Sequence, residues 1–298
     1  MMARLGSWIL ALVCIAGTVQ AENVQLQHGD LTLNANLAAA QEGWQDGPVL
    51  LITHGTLGHN GMEIIATLQD LFAEQAISSL AITLSLGLDD REGMYDCAVP
   101  HTHQHTDALD EIGLWRDWLK TQGVREIILV GHSRGGNQTA WFAAERPEPA
   151  VRGVVLIAPA TWSEAAANAE YRQRYATELA AVLTSAQQRV DTGKGDTWLE
   201  PTGFLYCADA QVQARTFTSY YTPDHRLDTP ILLGDIDVPV LVIAGSADEV
   251  VPDVAEKVGP LADGQRIRLE VIEGADHFFR DLYADDVVEA ARSFIDTL

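Results

Sequence analysis

The chain is 298 residues long and 47% hydrophobic, enough to bury the core of one large α/β domain, with or without an inserted cap. Its formal net charge of −23 argues against nucleic acid and anionic membranes as partners, because both require a basic surface. The charge favours solubility and leaves the chemistry of a small ligand open.

The first 21 residues have the pattern of a secretory signal peptide. Arg4 gives a weakly positive start, residues 8–16 are apolar, and small residues precede a cleavage point after Ala21. The apolar run is too short for a membrane span, which needs about 20 residues. We therefore expect cleavage after Ala21 and a periplasmic or secreted protein without stable membrane insertion.

Hydrophobic periodicity predicts strands that alternate with helices along the rest of the chain. Two alternating segments around residues 28–30 predict a hairpin, and the later apolar runs are typical of buried parallel strands. The predicted strands are 24–27, 31–37, 49–53, 80–84, a run beginning at 126, 153–158, 238–244 and 267–272. The first predicted helix starts at 60 or 61 and ends at 76, and the second runs from the N-cap Thr106 to Gly123. Further helices are predicted over 137–145, 163–189, 254–261 and 281–297.

The alternation stops between residues 161 and 237. This stretch contains a long helical pattern, a glycine-rich break and several aromatic segments. Alternating strands and helices predict a mostly parallel sheet with helices on both faces. We therefore predict an α/β core formed by residues 22–160 and 238–298, with a mostly helical cap at 161–237.

A serine lies between two glycines where one apolar run meets a helical pattern. Gly131, Ser133 and Gly135 fit G-x-S-x-G, which places the serine hydroxyl on a sharp strand-to-helix turn. The glycines are needed because a side chain at either position would crowd the strand and helix where they pass close to each other. The helix N-terminus then favours negative charge that develops beside the serine.

A serine becomes a strong nucleophile when a histidine acts as its base and a carboxylate orients that histidine. Asp248 and His277 each follow a predicted strand, so a parallel sheet brings them to the same edge as Ser133. Glu249 and Asp253 are neighbouring alternatives for the carboxylate. Asp276 adjoins the histidine, and adjacent side chains point poorly for this role.

These motifs resemble those of the α/β-hydrolase superfamily over essentially the whole chain after the leader, with the cap matched least. Residues 131–135 resemble its nucleophile elbow, 245–252 its acid motif, 274–277 its histidine loop, and 54–55 its oxyanion loop. The resemblance implies that Ser133 is the nucleophile, His277 the general base and acid, and Asp248 the orienting carboxylate. It also implies an oxyanion hole formed by the backbone N–H groups of Thr56 and Arg134, with Leu57 as the alternative to Thr56.

Two other histidines in these motifs are expected to have structural rather than catalytic roles. His132 lies inside the elbow, where we expect it to pack beneath the turn, and His54 is expected to support its own turn. The Arg134 side chain contributes nothing to the oxyanion hole, and whether it binds a substrate anion stays open.

The long segment 85–105 ends in three alternating histidines, His101, His103 and His105. Alternate residues of an extended segment share a face, so three imidazoles could meet a metal. The competing interpretation is a polar loop that leads into a helix and lines a pocket. We expect no metal and no organic cofactor.

The loop and the cap contain the two cysteines that follow the leader. Cys97 and Cys207 are both expected above the catalytic edge, and an oxidising compartment permits a disulfide between them. The aromatic residues of the cap, together with Leu57, Met94 and Tyr95, are candidates for an apolar acyl or alcohol pocket, with simple packing as the alternative for each.

The resemblance and the residue pattern together predict an exported serine hydrolase that cleaves small carboxylic esters through an acyl-enzyme. A peptidase or thioesterase would use the same three residues. A lyase or perhydrolase could use the same scaffold, since a fold does not fix its chemistry. A binding protein without catalysis is the alternative from another class. The sequence leaves the oligomeric state and the substrate's identity open.

Overall fold

The computed structural model describes residues 21–298. The predicted signal peptide therefore lies outside the described residues, except for Ala21, which begins the first strand. Within the described residues, no helix combines the length and apolar character that crossing a membrane requires.

Eight strands form one sheet and two short strands form a separate hairpin. The strands are β1 (Ala21–His28), β2 (Leu31–Ala38), β3 (Val49–Thr53), β4 (Ser78–Thr83), β5 (Ile127–His132), β6 (Val151–Ile157), β7 (Thr202–Phe204), β8 (Cys207–Ala210), β9 (Val240–Gly245) and β10 (Ile267–Ile272). The order across the large sheet is β1-β2-β4-β3-β5-β6-β9-β10. The predicted hairpin is confirmed as β1 and β2, which pair antiparallel.

The sheet is antiparallel at one edge and parallel over the rest. β2 runs antiparallel to β4, while β4, β3, β5, β6, β9 and β10 are all parallel to one another. Every residue of β3 and β5 is buried, as expected for strands covered on both faces. The carboxyl ends of the parallel strands meet at one edge, which is where such sheets place their ligands.

Helices cover both faces, as predicted. The α-helices described are α1 (Glu63–Glu74), α2 (Asp107–Thr121), α3 (Arg134–Glu145), α4 (Glu164–Tyr175), α5 (Leu179–Asp191), α6 (Ala214–Tyr221), α7 (Thr229–Leu232), α8 (Val254–Val258) and α9 (Leu282–Ile295). α1 and α9 pack on one face through residues such as Phe72 and Val287. α2 and α3 pack on the other through Trp115 and Phe142. The chain therefore folds as the predicted α/β-hydrolase architecture.

The segment between β6 and β9 contributes nothing to the large sheet and contains four helices and the β7–β8 hairpin. The prediction of a single helix over 163–189 is wrong, because this stretch forms two helices, α4 and α5. The chain leaves α4 at Ala176, which has a left-handed φ of 51°. A disulfide joins Cys97 to Cys207, which confirms the predicted pairing and ties β8 to the loop before α2. The cap boundaries at 161 and 237 stay a prediction.

The predicted start of α2 is correct in position and wrong in its capping group. Thr106 precedes the helix, but its backbone is already helical and its hydroxyl accepts no capping hydrogen bond. Asp107 instead accepts a 2.7 Å bond from the N–H of Gln104. The carboxylate one residue later therefore stabilises this turn.

Candidate active site

The turn between β5 and α3 holds Ser133 in a strained conformation. Its backbone has φ 57° and ψ −125°, which residues with a side chain rarely adopt. A Cβ at Gly131 would lie 2.5 Å from the carbonyl oxygen of Gly135, and a Cβ at Gly135 would overlap the carbonyl oxygen of His54. Only glycine fits these two positions, so the motif has the packing reason that the sequence suggested.

Three side chains from different loops form a continuous hydrogen-bonded chain. Nε2 of His277 lies 3.0 Å from the Oγ of Ser133, and Nδ1 lies 2.8 Å from Oδ2 of Asp248. The ionised carboxylate only accepts hydrogen bonds, so Nδ1 carries the proton and Nε2 accepts from the serine hydroxyl. All three residues are buried. The arrangement can take a proton from the serine and return it to a leaving group.

Asp248 is fixed by its own loop as well as by His277. Its Oδ1 accepts from the N–H groups of Val250 at 2.7 Å and Val251 at 2.9 Å. Burial by itself would raise the pKa of Asp248, but the hydrogen bonds from His277 and from these two N–H groups outweigh it. The pKa of Asp248 therefore lies below its ordinary value. The carboxylate stays charged and continues to orient the imidazole.

The alternative carboxylates have other partners or positions. Asp253 accepts a 2.5 Å bond from Thr161 and forms an ion pair with Lys257. Asp276 pairs with Arg280 at 3.0 Å. Glu249 is exposed. The structure therefore brings Asp248, rather than its neighbours, into contact with His277.

Two backbone segments near Ser133, the start of α3 and the loop after β3, hold the residues expected to form an oxyanion hole. Arg134 is the first residue of α3, so its N–H has no acceptor four residues earlier in the helix. Thr56 lies in the loop after β3, and a Cβ at the preceding Gly55 would lie only 3.1 Å from the Cβ of Ser133. This loop therefore runs against the serine, with Thr56 bonded through its Oγ1 to Nε of Arg134 at 3.0 Å.

The family assignment comes from sequence. The sequence model of the alpha/beta hydrolase family matches residues 49–290, well over half of the chain. This chain belongs to the alpha/beta hydrolase family. No functionally curated protein matches it significantly.

Solved structures of hydrolases share the fold. Est1E from Butyrivibrio proteoclasticus with bound ferulic acid gives a TM-score of 0.65 at 19% identity, over 92% of this chain and 98% of that chain. A monoacylglycerol lipase from Paleococcus ferrophilus gives 0.59 at 18% identity, over 93% and 99%. At such low identity these similarities establish the fold of the hydrolase and leave its substrate open.

Arg91 supports the candidate site from a distance, and sequence analysis missed it. Its buried guanidinium donates to the carbonyl oxygens of Leu84 at 2.7 Å and Gly58 at 2.6 Å, and Nη2 lies 3.3 Å from Nε2 of His54. Burial lowers the pKa of Arg91 to about 10, which leaves it charged at neutral pH. Arg91 thus holds both ends of the loop that carries Thr56. The sequence signal that could have pointed to Arg91 is an arginine within a long irregular segment.

The two histidines expected to be structural lie buried beside the site. His132 donates through Nε2 to the carbonyl oxygen of His277 at 2.9 Å, and burial lowers the pKa of His132 to about 4. His54 bonds through Nδ1 to the carbonyl of Gly55 at 2.8 Å, and burial lowers its pKa to about 3. Both imidazoles are therefore neutral at neutral pH and support the backbone around Ser133.

A cavity of about 130 Å³ lies beside the loop after β3 and the start of α3. Arg134, the residue after Ser133, lines it, while Ser133 itself is not among the lining residues. Thr56 and Arg134 form part of its wall, together with Ala160, whose N–H donates to the carbonyl of Ser133. The segment between β6 and β9 supplies most of the remaining wall: Thr161, Trp162, Ser163, Ala166, Ala167, Glu170, Tyr171, Arg174, Tyr175, Leu205, Tyr206, Tyr220, Tyr221 and Leu227. The volume is below the roughly 300–1,000 Å³ of typical ligand pockets.

The cavity is not lined by Leu57, Met94 or Tyr95, which were expected from sequence to contribute to a pocket. Met94 is 58% exposed. Tyr95 is buried, donates through its hydroxyl to the carbonyl of Pro100 at 3.1 Å, and stacks on His101. Leu57 is buried, and its carbonyl accepts from the N–H of Tyr95. These residues pack the loops beside the site. The cap aromatics, which the sequence also favours for the pocket, do contribute to the cavity wall, with Tyr206, Tyr220 and Tyr221 among its lining residues.

His101, His103 and His105 form a buried group that we call the histidine row. Nδ1 of His101 lies 3.2 Å from Nε2 of His103, whose Nδ1 lies 2.7 Å from the hydroxyl of Tyr220. Nε2 of His105 lies 3.0 Å from Oδ1 of Asn137. Among residues 21–298, no group of three or more histidine, cysteine, aspartate or glutamate side chains is placed to hold a metal.

Proposed function

We propose that this alpha/beta hydrolase is an exported serine esterase that acts on small carboxylic esters. The observation that carries the proposal is the hydrogen-bonded chain from Ser133 through His277 to Asp248, on loops that follow β5, β9 and β10. The open donors of Arg134 and Thr56 add the second requirement of acyl transfer. The hydrolases that share its fold, including an esterase and a lipase by name, are consistent with this class.

In the first half of the reaction, the Oγ of Ser133 attacks the ester carbonyl carbon while Nε2 of His277 takes the hydroxyl proton. The carbonyl oxygen becomes an oxyanion that accepts hydrogen bonds from the N–H groups of Thr56 and Arg134. The intermediate collapses, the bond to the alcohol breaks, and His277 gives its proton to the departing oxygen. An acyl group is then bound to Ser133.

In the second half, water enters where the alcohol left. His277 takes a proton from the water, the resulting hydroxide attacks the acyl carbon, and the same N–H groups stabilise the second oxyanion. Collapse releases the carboxylic acid and returns the proton to Ser133. Asp248 stays ionised throughout and stabilises the imidazolium that forms twice in each cycle.

Export and a cap complete the proposal. The signal pattern in residues 1–21 supports export, and the disulfide between Cys97 and Cys207 suits a periplasmic or extracellular location. Residues 161–237 form the proposed cap, because they supply most of the wall of the cavity that Thr56 and Arg134 also line. The small cavity volume favours short acyl or alcohol groups.

The test is hydrolysis of p-nitrophenyl esters of increasing acyl length by purified protein without its leader. We expect turnover that is highest for short chains and lost in Ser133→Ala. Circular dichroism and Tm of the variant check its folding. A folded wild-type protein that hydrolyses none of the esters would favour a binding protein on this fold instead.

A further inference from the structure

Arg134 places a positive charge on the wall of the cavity. The residue follows Ser133 directly, and its side chain lies among the cavity-lining groups. Among the described residues, no carboxylate lies within ion-pair distance of its guanidinium. Its charge therefore has no carboxylate partner within residues 21–298, although the chain has far more acidic than basic residues.

The surroundings of Arg134 fix its guanidinium while leaving donors available. Nε donates to Oγ1 of Thr56 at 3.0 Å, and the guanidinium carbon lies 5.4 Å from the ring centre of Tyr220. Within residues 21–298, neither Nη1 nor Nη2 has a hydrogen-bond acceptor. A planar fork held at one edge and open at the other suits two-point recognition of a carboxylate.

The other charges of the cavity wall cancel. Arg174 and Glu170 form an ion pair at 2.8 Å. Arg174 also lies over the ring of Tyr206, at 4.7 Å from its centre. The remaining lining residues are neutral, so the cavity as a whole carries the single positive charge of Arg134.

We propose that Arg134 is a specificity-determining residue that binds a carboxylate group of the substrate, so that the preferred substrates are esters carrying a free carboxylate. The inference rests on the proposed esterase function and names the substrate class of the same site. A neutral ester would cover the half-buried guanidinium of Arg134 without giving it an anion, and a charge that loses water without gaining a partner is costly. A carboxylated ester gives it a charge-assisted partner.

Matched ester pairs test the proposal. The mono-p-nitrophenyl ester of adipic acid carries its carboxylate on the acyl side, and its methyl-blocked diester is the neutral counterpart. The pair of para-acetoxybenzoate and its methyl ester places the carboxylate on the alcohol side. Rates are corrected for spontaneous hydrolysis. We expect wild-type kcat/KM to be about tenfold to a hundredfold higher for the carboxylate member of at least one pair, because a hydrogen bond to a charged group contributes a free energy of that size.

Variants assign the preference to Arg134. Arg134→Gln is expected to abolish the ratio between the two members of the pair, and Arg134→Lys to retain part of it because the charge stays while the fork is lost. Arg146→Gln is the matched control, since it changes the net charge equally and Arg146 pairs with Asp110 outside this cavity. This control should keep the wild-type ratio. Folding of each variant is verified by Tm.

The outcomes separate the two proposals. Equal kcat/KM for both members of both pairs in the wild type, or a preference that survives Arg134→Gln, overturns the role of Arg134 while ester hydrolysis itself stands. Binding of monomethyl adipate to Ser133→Ala, measured by calorimetry, is expected to weaken when Arg134→Gln is added. If wild-type protein hydrolyses no member of either pair, the esterase proposal fails and the carboxylate preference fails with it.

Discussion

His277 and the histidine row are both buried, yet their neighbours differ. His277 has a carboxylate on one ring nitrogen and a serine hydroxyl on the other. The histidine row contacts a tyrosine hydroxyl, an asparagine amide and aromatic rings. Within the part of the chain that the structure describes, no carboxylate is hydrogen-bonded to it. Burial lowers the pKa of His101 to about 4 and that of His105 to about 3. Partners, rather than residue type, therefore separate the proposed proton-transfer group from neutral structural imidazoles.

Replacing His277 and His101 should give the largest contrast. His277→Ala removes the base, and losing a member of such a unit costs about 10⁵–10⁶-fold in kcat. His101→Gln keeps a neutral polar group in the histidine row, so its kcat on the same p-nitrophenyl ester should stay within the order of magnitude of the wild type. Comparable losses in two folded variants would contradict the separation between the two regions.

Asp248→Asn tests the partner that distinguishes His277. The amide keeps the shape of the carboxylate but permits the wrong tautomer of the imidazole, which in such triads lowers kcat by about 10⁴-fold. Asp253→Asn is the matched control, because Asp253 bonds to Thr161 and Lys257 instead. Steady-state kinetics should show the loss in the first variant alone. The reverse pattern would make Asp253 the orienting carboxylate.

Removing the disulfide next to the histidine row tests the structural role of this region. Cys97 and Cys207 are 110 residues apart in sequence, and Phe204, close to Cys207, packs on His101. Closing a loop of this length is worth up to about 4–5 kcal/mol of unfolding free energy in the chain-entropy estimate. We expect the double variant Cys97→Ser, Cys207→Ser to have a lower Tm by roughly 10 °C. An unchanged Tm would show that the bond adds nothing to this region.

Acid should destabilise the protein through its buried histidines. The pKa of His101 is lowered from 6.5 to about 4, so between these values the unfolded chain binds protons that the folded chain refuses. Stability then falls as pH drops through this window, by at most about 1.4 kcal/mol per pH unit for each buried imidazole. Burial raises the pKa of Glu111 to about 7, and this acid opposes the trend.

Variants isolate these opposing contributions. His101→Gln should reduce the fall in Tm between pH 6.5 and 4, because one proton fewer is gained on unfolding. Glu111→Gln should steepen it, because the opposing group is removed. Asp248 has a lowered pKa, so its contribution is lost only below its unfolded value of 3.8 and lies outside the window. A Tm profile of His101→Gln identical to that of the wild type would refute this origin.

The sequence predicted most of the sheet and of the hydrogen-bonded chain, because both depend on local pattern. Apolar runs marked β3, β5 and β9, and short motifs at strand ends marked Ser133, Asp248 and His277. The disulfide followed from the count of cysteines and their expected side of the sheet. Where a residue's role depends on its immediate neighbours, sequence reasoning was sufficient.

The exact set of cavity-lining residues and the support of the loop after β3 could not be predicted, because they depend on contacts between distant segments. Arg91 meets Gly58 and Leu84 only after the loop 84–93 has folded back on the loop that follows β3. The break at Ala176 falls at a residue of high helix propensity, with no glycine or proline to mark it. Met94 and Tyr95 lie in the long loop near Cys97, but the folded chain places neither of them in the cavity wall.

Labelling with a fluorophosphonate tests the central claim most directly. The reagent forms a stable bond with a serine only when a neighbouring base activates it. Intact-mass spectrometry of the wild type should show one adduct that peptide mapping assigns to Ser133, and His101→Gln should label equally. Ser133→Ala and His277→Ala should remain unlabelled. An adduct on another residue, or none on folded wild-type protein, would contradict the account.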